Sequence, residues 1–214
     1  MCGRAVLENP YAVAEWFDVE VPDDLPSRFN IAPTQPLAVI RTPGRLEFLK
    51  WGIARGEGRP LQINMRVETV SRTIHTQRRC LVAVDGFYEW LAAASPTARQ
   101  PFVFRDRDGH PLGFAGVWTS TTTSDGEIVD SVAVMTCPPQ PPVAAVHDRM
   151  PLVIPRDAFA RWIDPGADVS DLLHPTATTL VATPVSPFVN SPKNDDARCL
   201  ERWEVGPPAQ GALF

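Results

Sequence analysis

The sequence is poor in lysine and cysteine, and it has no apolar run long enough to span a membrane. Lys50 and Lys193 are the only lysines among 20 basic side chains; the rest are arginine. Arginine suits bidentate phosphate contacts, but an Ala-, Arg- and Pro-rich, Lys-poor chain is first of all the mark of a GC-rich genome. The four cysteines, Cys2, Cys80, Cys137 and Cys199, are scattered and form no C-x-x-C pair, which argues against a zinc site or a redox pair. The histidines His75, His110, His147 and His174 have no ligand spacing either, so neither metal nor cofactor is expected. A basic-then-apolar leader is missing, so the chain is expected to stay in the cytoplasm with its thiols reduced. Net charge is −5, without the basic excess usual in nucleic-acid binders. Only a local cluster of arginines could offset that.

What is present is an ordinary globular composition, 44 % hydrophobic and 21 % charged over 214 residues, enough for one sizeable core. Asn9-Pro10 reads as a helix start, with Val13, Trp16 and Phe17 on one apolar face. The stretch from Arg28 to Thr34 reads as a loop. Two strands are expected at Pro36–Arg41 and Leu46–Trp51 around a Thr42-Pro43-Gly44 turn. Cys80–Val84 reads as a strand running into Asp85-Gly86, a hairpin signal, and then Phe87-Tyr88-Glu89-Trp90. Ala92–Thr97 is a small-residue linker. Pro101–Arg105 and Gly113–Ser120 read as paired strands joined near Asp108-Gly109, followed by a strand at Ile128–Thr136. Pro138–Pro142 excludes regular structure. A helix opening at Pro155, a short helix at Asp168–Leu173 and a last strand at Thr178–Val185 complete the chain, with a loose tail at 206–214. The pattern predicts an α+β fold: a single domain over 1–214, mainly antiparallel, barrel-like sheet with a few short flanking helices.

Cys2 offers the sharpest chemistry. A small second residue lets an aminopeptidase remove Met1, which leaves Cys2 with a free α-amine beside its thiol. An amine attacks an aldehyde to give a Schiff base, and a neighbouring thiol can add to that imine and close a thiazolidine ring. The amine titrates near 8 and the thiol near 8.5, roughly, so both are partly reactive at neutral pH. Taken alone, Cys2 reads first as a small buried hydrophobe. Asn64 reads as a turn or cap residue or as a polar site group. Glu89, between two aromatics, is either a desolvated carboxyl suited to acid/base work or an edge residue in water. His147 is either a structural histidine or a proton shuttle.

Met1-Cys2-Gly3-Arg4, Arg28-Phe29-Asn30-Ile31-Ala32-Pro33, Trp51-Gly52, Asn64-x-Arg66-x-Glu68-Thr69, Arg79-Cys80-Leu81 with Asp85-Gly86-Phe87-Tyr88-Glu89-Trp90, Phe114-Ala115-Gly116-Val117-Trp118 and His147-x-Arg149-Met150-Pro151 occur in that order. Together they resemble the SOS-response-associated peptidase family from Cys2 to about Asn194. The resemblance implies capture of the open-chain aldehyde of an abasic site in single-stranded DNA, as a thiazolidine cross-link through Cys2. It implies that Asn64 holds the Cys2 backbone or the sugar oxygen. Glu89 would move protons for the amine and for ring opening, and His147 would protonate the sugar hydroxyl or imine. Weak lyase activity by β-elimination and self-removal of Met1 belong to the same implication. Arg4, Asn30, Pro33, Arg66, Thr136 and Arg149 match positions near DNA, with phosphate contact and strand positioning as their task. The implied partner is single-stranded DNA containing abasic sites, bound by a monomer that is nucleoid-associated when on DNA, with no membrane.

The sequence departs from that family in one place. Many members have extra tryptophan and proline between the Trp-Gly pair and the Asn-x-Arg motif, whereas Ile53–Gln62 here is short and has no aromatic. Arg55 and Arg59 are the residues there that could stack or bind phosphate. Three other functions compete. An N-terminal-Cys amidohydrolase or glutamine amidotransferase would use the amine as base and the thiol as nucleophile, but lacks its Asn-Gly oxyanion motif here. A non-catalytic module for single-stranded DNA would bind without Cys2. A thiol protease would pair Cys2 with His147.

Overall fold

The computed structural model describes residues 2–22, 25–56, 58–92, 99–123, 125–176 and 179–203. Strand β1 (Ala5–Leu7) is wholly buried and leads into helix α1 (Pro10–Phe17). Asn9 caps that helix by accepting from the Ala12 amide at 3.1 Å, and Pro10 occupies its first turn. Strands β2 (Arg28–Ile31), β3 (Pro36–Thr42), β4 (Arg45–Trp51) and β5 (Asn64–Arg66) follow, then the one-turn helix α2 (Val67–Val70). Next come β6 (Arg79–Val84), β7 (Gly86–Leu91), β8 (Gln100–Asp106), β9 (Leu112–Thr122) and β10 (Ile128–Cys137). The two-residue β11 (Met150–Pro151), helix α3 (Phe159–Ile163) and β12 (Leu180–Pro184) end the described structure, with 3₁₀ turns between them.

Five strands close on themselves. β4 pairs with β3, β3 with β6, β6 with β9 and β9 with β10, all antiparallel, and β10 returns to β4 in parallel. Closure removes free edges from this ring. Alternation points Leu37, Val39, Leu49, Trp51, Val82 and Val132 inward, and all are buried. Gly116 faces the same interior: a Cβ there would stand 2.7 Å from the Cys80 sulfur, so the barrel wall has room only for glycine. A second, antiparallel sheet runs β12-β8-β7-β1-β2. Phe87 and Phe104 of the second sheet stack with ring centroids 5.0 Å apart, and Phe114 of the barrel meets Phe87 edge-on at 5.7 Å. The architecture is the expected α+β domain of mainly antiparallel, barrel-like sheet with short helices.

Three local expectations need correction. Asp85-Gly86 is not a hairpin turn: β6 lies in the barrel and β7 in the second sheet, so the chain crosses between sheets there. The glycine is required because β8 passes close by, and a Cβ on Gly86 would lie 2.6 Å from the Phe104 carbonyl. The strands flanking Asp108-Gly109 do not pair with each other either; β8 pairs with β7 and β12, and β9 with β6 and β10. The stretch from Arg28, read as a loop, begins as β2. Asp195 accepts from the Phe29 and Asn30 amides at 2.6 and 2.8 Å, supplying the sheet edge that the sequence does not show. Most of the Ala92–Thr97 linker, and the 206–214 tail, lie outside the described residues.

Candidate functional site

Sheet pairing brings the chain's start to Glu89. β1 runs antiparallel to β7, with Ala5 opposite Phe87, and the Tyr88 amide donates to the Arg4 carbonyl at 3.1 Å. Continuing that register sets residues 2–4 beside Glu89. On the other side, β5 is held parallel to β10, Asn64 opposite Val134, and its first residue reaches back to the same segment. Asn64 Nδ2 donates to the Cys2 carbonyl at 2.8 Å. Asn64 Oδ1 is buried with no hydrogen-bond partner among the described residues. Cys2 itself is 1 % exposed. Burial holds its thiol protonated far above the ordinary range, and the nearby Glu89 charge adds to that.

Glu89 is 3 % exposed, so the edge-residue reading of it fails. Burial pushes its carboxyl up to about 7, into the range of a working acid/base. His147 Nε2 lies 3.9 Å from Glu89 Oε2. His147 Nδ1 lies 3.0 Å from the Arg149 amide and 3.2 Å from the Arg149 carbonyl, so the backbone offers a partner to either neutral tautomer, and Nε2 faces Glu89. Asp148 Oδ1 also lies 3.1 Å from Nδ1, but its side chain is 86 % exposed, so solvent screens that pairing. Burial lowers the pKa of His147, favouring the neutral ring. The four residues singled out for chemistry, Cys2, Asn64, Glu89 and His147, therefore converge from the chain's start, β5, β7 and the segment before β11.

Residues 1–192 match the family described as SOS response associated peptidase (SRAP). The chain belongs to that family. It is 30 % identical over 223 residues to the abasic site processing protein YoaM of Bacillus subtilis, covering 94 % of this chain and 98 % of that one. It is 26 % identical to the abasic site processing protein YedK of Escherichia coli, covering 94 % and 99 %. A phage-related protein of solved structure from Bordetella bronchiseptica superposes with a TM-score of 0.70 at 28 % identity, covering 86 % of this chain and 94 % of the other.

The positions matched to DNA contact in this family member divide into two groups. Arg66 is exposed, and Pro33 is half-buried beside the exposed Thr34. Asn30 and Thr136 are both 0 % exposed. Asn30 Nδ2 donates to the carbonyls of Val189, Ser191 and Asn194 at 3.1, 3.0 and 2.7 Å, pinning the end of the chain to β2. Arg4 is half-buried and spends its fork on Asn30 Oδ1 and the Val189 carbonyl, both at 2.8 Å, while its guanidinium lies 5.6 Å from the Trp90 ring. Arg149 is 8 % exposed and bidentate to Glu68 at 2.7 and 2.9 Å; its Nη2 also donates to the Thr136 carbonyl. Sequence reasoning missed Glu68 as that partner. The available signal was its place in the first turn after Asn64-x-Arg66, one residue into α2.

Proposed function

We propose that this chain processes abasic sites in single-stranded DNA by a covalent thiazolidine cross-link through Cys2, formed after Met1 is removed. The convergence of Asn64, Glu89 and His147 on Cys2 supports this reading most directly, with Asn64 fixing the Cys2 carbonyl at 2.8 Å. The names of relatives that span the whole chain support the substrate. The free α-amine attacks the deoxyribose aldehyde, and the carbinolamine loses water to give an imine. The thiol then adds across the C=N bond: sulfur bonds to carbon and the thiol proton ends on nitrogen. Both nitrogen and sulfur of Cys2 are consumed in the ring, so nothing is oxidised or reduced.

Each neighbour has a task in that sequence. Asn64 holds the Cys2 backbone while its unpartnered Oδ1 is an acceptor for the amine or a sugar hydroxyl. Glu89, poised near 7, takes a proton from the ammonium and returns one during ring opening and dehydration. His147, whose Nε2 faces Glu89, donates to the departing sugar hydroxyl or to the imine nitrogen. The same imine permits strand cleavage by β-elimination, and removal of Met1 can be carried out by the same acid/base pair. Exposed Arg66 contacts phosphate, and Arg149, with Glu68, holds His147 in place. The buried, protonated thiol disfavours a thiol protease or amidohydrolase, which need a thiolate at the first step. Here the amine acts first. The test is a denaturing gel after mixing with single-stranded DNA bearing one abasic site. A heat- and detergent-resistant adduct is expected from wild type and none from Cys2→Ala; equal adduct from Cys2→Ala overturns the mechanism.

A further inference from the structure

A polar layer closes one end of the barrel. Arg41 on β3 binds Glu47 on β4 through two hydrogen bonds of 2.7 and 3.0 Å, and Asp130 on β10 at 2.5 Å. Ser120 on β9 donates to the other Asp130 oxygen. Both carboxylates are held below their ordinary range, chiefly by these hydrogen bonds. Arg41 lies on the Trp118 ring, 4.3 Å from its centroid, so the indole is fixed from beneath. A second guanidinium, that of Arg78, lies 4.9 Å from the same centroid. Arg78 differs from Arg41: it is exposed, and among the described residues its guanidinium has no hydrogen-bond or ion-pair partner.

Trp118 and Arg78 border a cleft of about 460 Å³ whose walls include Gln62, Met65, Gln77 and Thr119. Two features connect this cleft to the Cys2 site. Met65 lies between Asn64 and Arg66 on β5, so strand alternation places the cleft across that single strand from the Asn64 side chain. The loop from Ile53 to Gln62, which lacks an aromatic, ends in the cleft wall and is closed there by a two-way bridge between those residues at 3.1 and 2.9 Å. The surrounding surface is also basic. Arg55, Arg59, Arg66, Arg72 and Arg78 are all exposed, and Glu68, the acidic residue described in that span, is committed to Arg149. Between residues 55 and 78 the sequence thus carries these five arginines against Glu57 and Glu68, on a chain of net charge −5.

The geometry points to a subsite for an unpaired nucleobase flanking the lesion, with Arg78 as the stacking plane and Trp118 as its support. This rests on the proposed binding of single-stranded DNA. A guanidinium plane held on an indole accepts a base by stacking, whatever its sequence, and Gln62 and Gln77 offer hydrogen bonds to its edge. Arg41, Glu47 and Asp130 keep the support rigid before DNA arrives.

The test measures affinity for a short single-stranded oligonucleotide carrying one tetrahydrofuran abasic analogue, which has no aldehyde, so Cys2 chemistry does not enter. Arg78→Ala should weaken binding about tenfold, in line with one stacked base. Arg78→Lys should remain several-fold weak although its charge is restored. The loss in both variants should vanish when the nucleotides flanking the analogue also lack bases. Unchanged affinity in Arg78→Ala, full recovery in Arg78→Lys, or a loss that persists on the base-free oligonucleotide would each overturn the subsite. Wild type mixed with true abasic DNA reports separately on the Cys2 reading, through the denaturation-resistant adduct. Absence of that adduct from wild type would count against the Cys2 reading and leave the stacking measurement to be judged separately.

Discussion

Two carboxylate clusters in this protein are tuned in opposite directions. At the barrel end, Glu47 and Asp130 grip Arg41, and both are held below their usual range. At the Cys2 site, Glu89 is buried with a histidine 3.9 Å away, and burial raises it to about 7. Hydrogen bonds make the difference, from Arg41 to Glu47 and from Ser120 and then Arg41 to Asp130. A carboxylate given a bidentate cation becomes a fixed structural charge, whereas one given burial and a neutral imidazole keeps a proton it can exchange.

That contrast can be broken in order of expected effect. Cys2→Ala removes the reacting group and should abolish the DNA adduct, as should any residues left ahead of Cys2; a denaturing gel reads both. Glu89→Gln keeps the shape but cannot exchange a proton. It should slow adduct formation by on the order of 10²-fold or more and flatten the rise in rate through pH 7 expected of wild type. Asn64→Ala frees the Cys2 carbonyl and should slow the reaction about tenfold, with DNA affinity little changed.

The two clusters should also give opposite stability profiles, read by thermal melts across pH. The folded pKa of Glu89 is raised, so its contribution is full below about 4.5 and is lost as pH rises through about 7. Glu89→Gln should therefore be about 1–3 kcal/mol more stable than wild type at pH 8, and no more stable at pH 4. The folded pKa values of Glu47 and Asp130 are depressed, so their contribution is present above the ordinary carboxylate range and is lost on acidification. Glu47→Gln should cost about 1 kcal/mol at pH 7, discounted for partial exposure, and leave the adduct rate unchanged. The smallest effect is expected at Arg66, where Ala should weaken DNA binding a few-fold and reduce the salt slope by about one.

Features set by neighbouring residues were legible in the sequence. Asn9-Pro10 starts α1, Thr42-Pro43-Gly44 turns β3 into β4, and Pro155 precedes the turn and helix that bury Trp162. Pairing between distant segments was not legible. Asp85-Gly86 and Asp108-Gly109 carry hairpin signals, yet each joins strands of different sheets, because a dipeptide cannot specify which strand lies across from it. The same limit affected the site. The residue types at Cys2, Asn64, Glu89 and His147 indicated chemistry, but the pattern around Glu89 fitted burial and exposure equally until β1 and β7 were seen to pair. Asn30 and Thr136 illustrate the converse. The family resemblance placed both near DNA; in the fold the Asn30 side chain ties β2 to the segment from Val189 to Asn194, and the Thr136 carbonyl accepts from Arg149.

Intact mass of the protein, alone and after mixing with single-stranded DNA bearing one abasic site, tests the central claim most directly. The account predicts a mature chain beginning at Cys2 and a stable species heavier by the DNA strand less one water. A chain that keeps Met1 and still forms that species would contradict it.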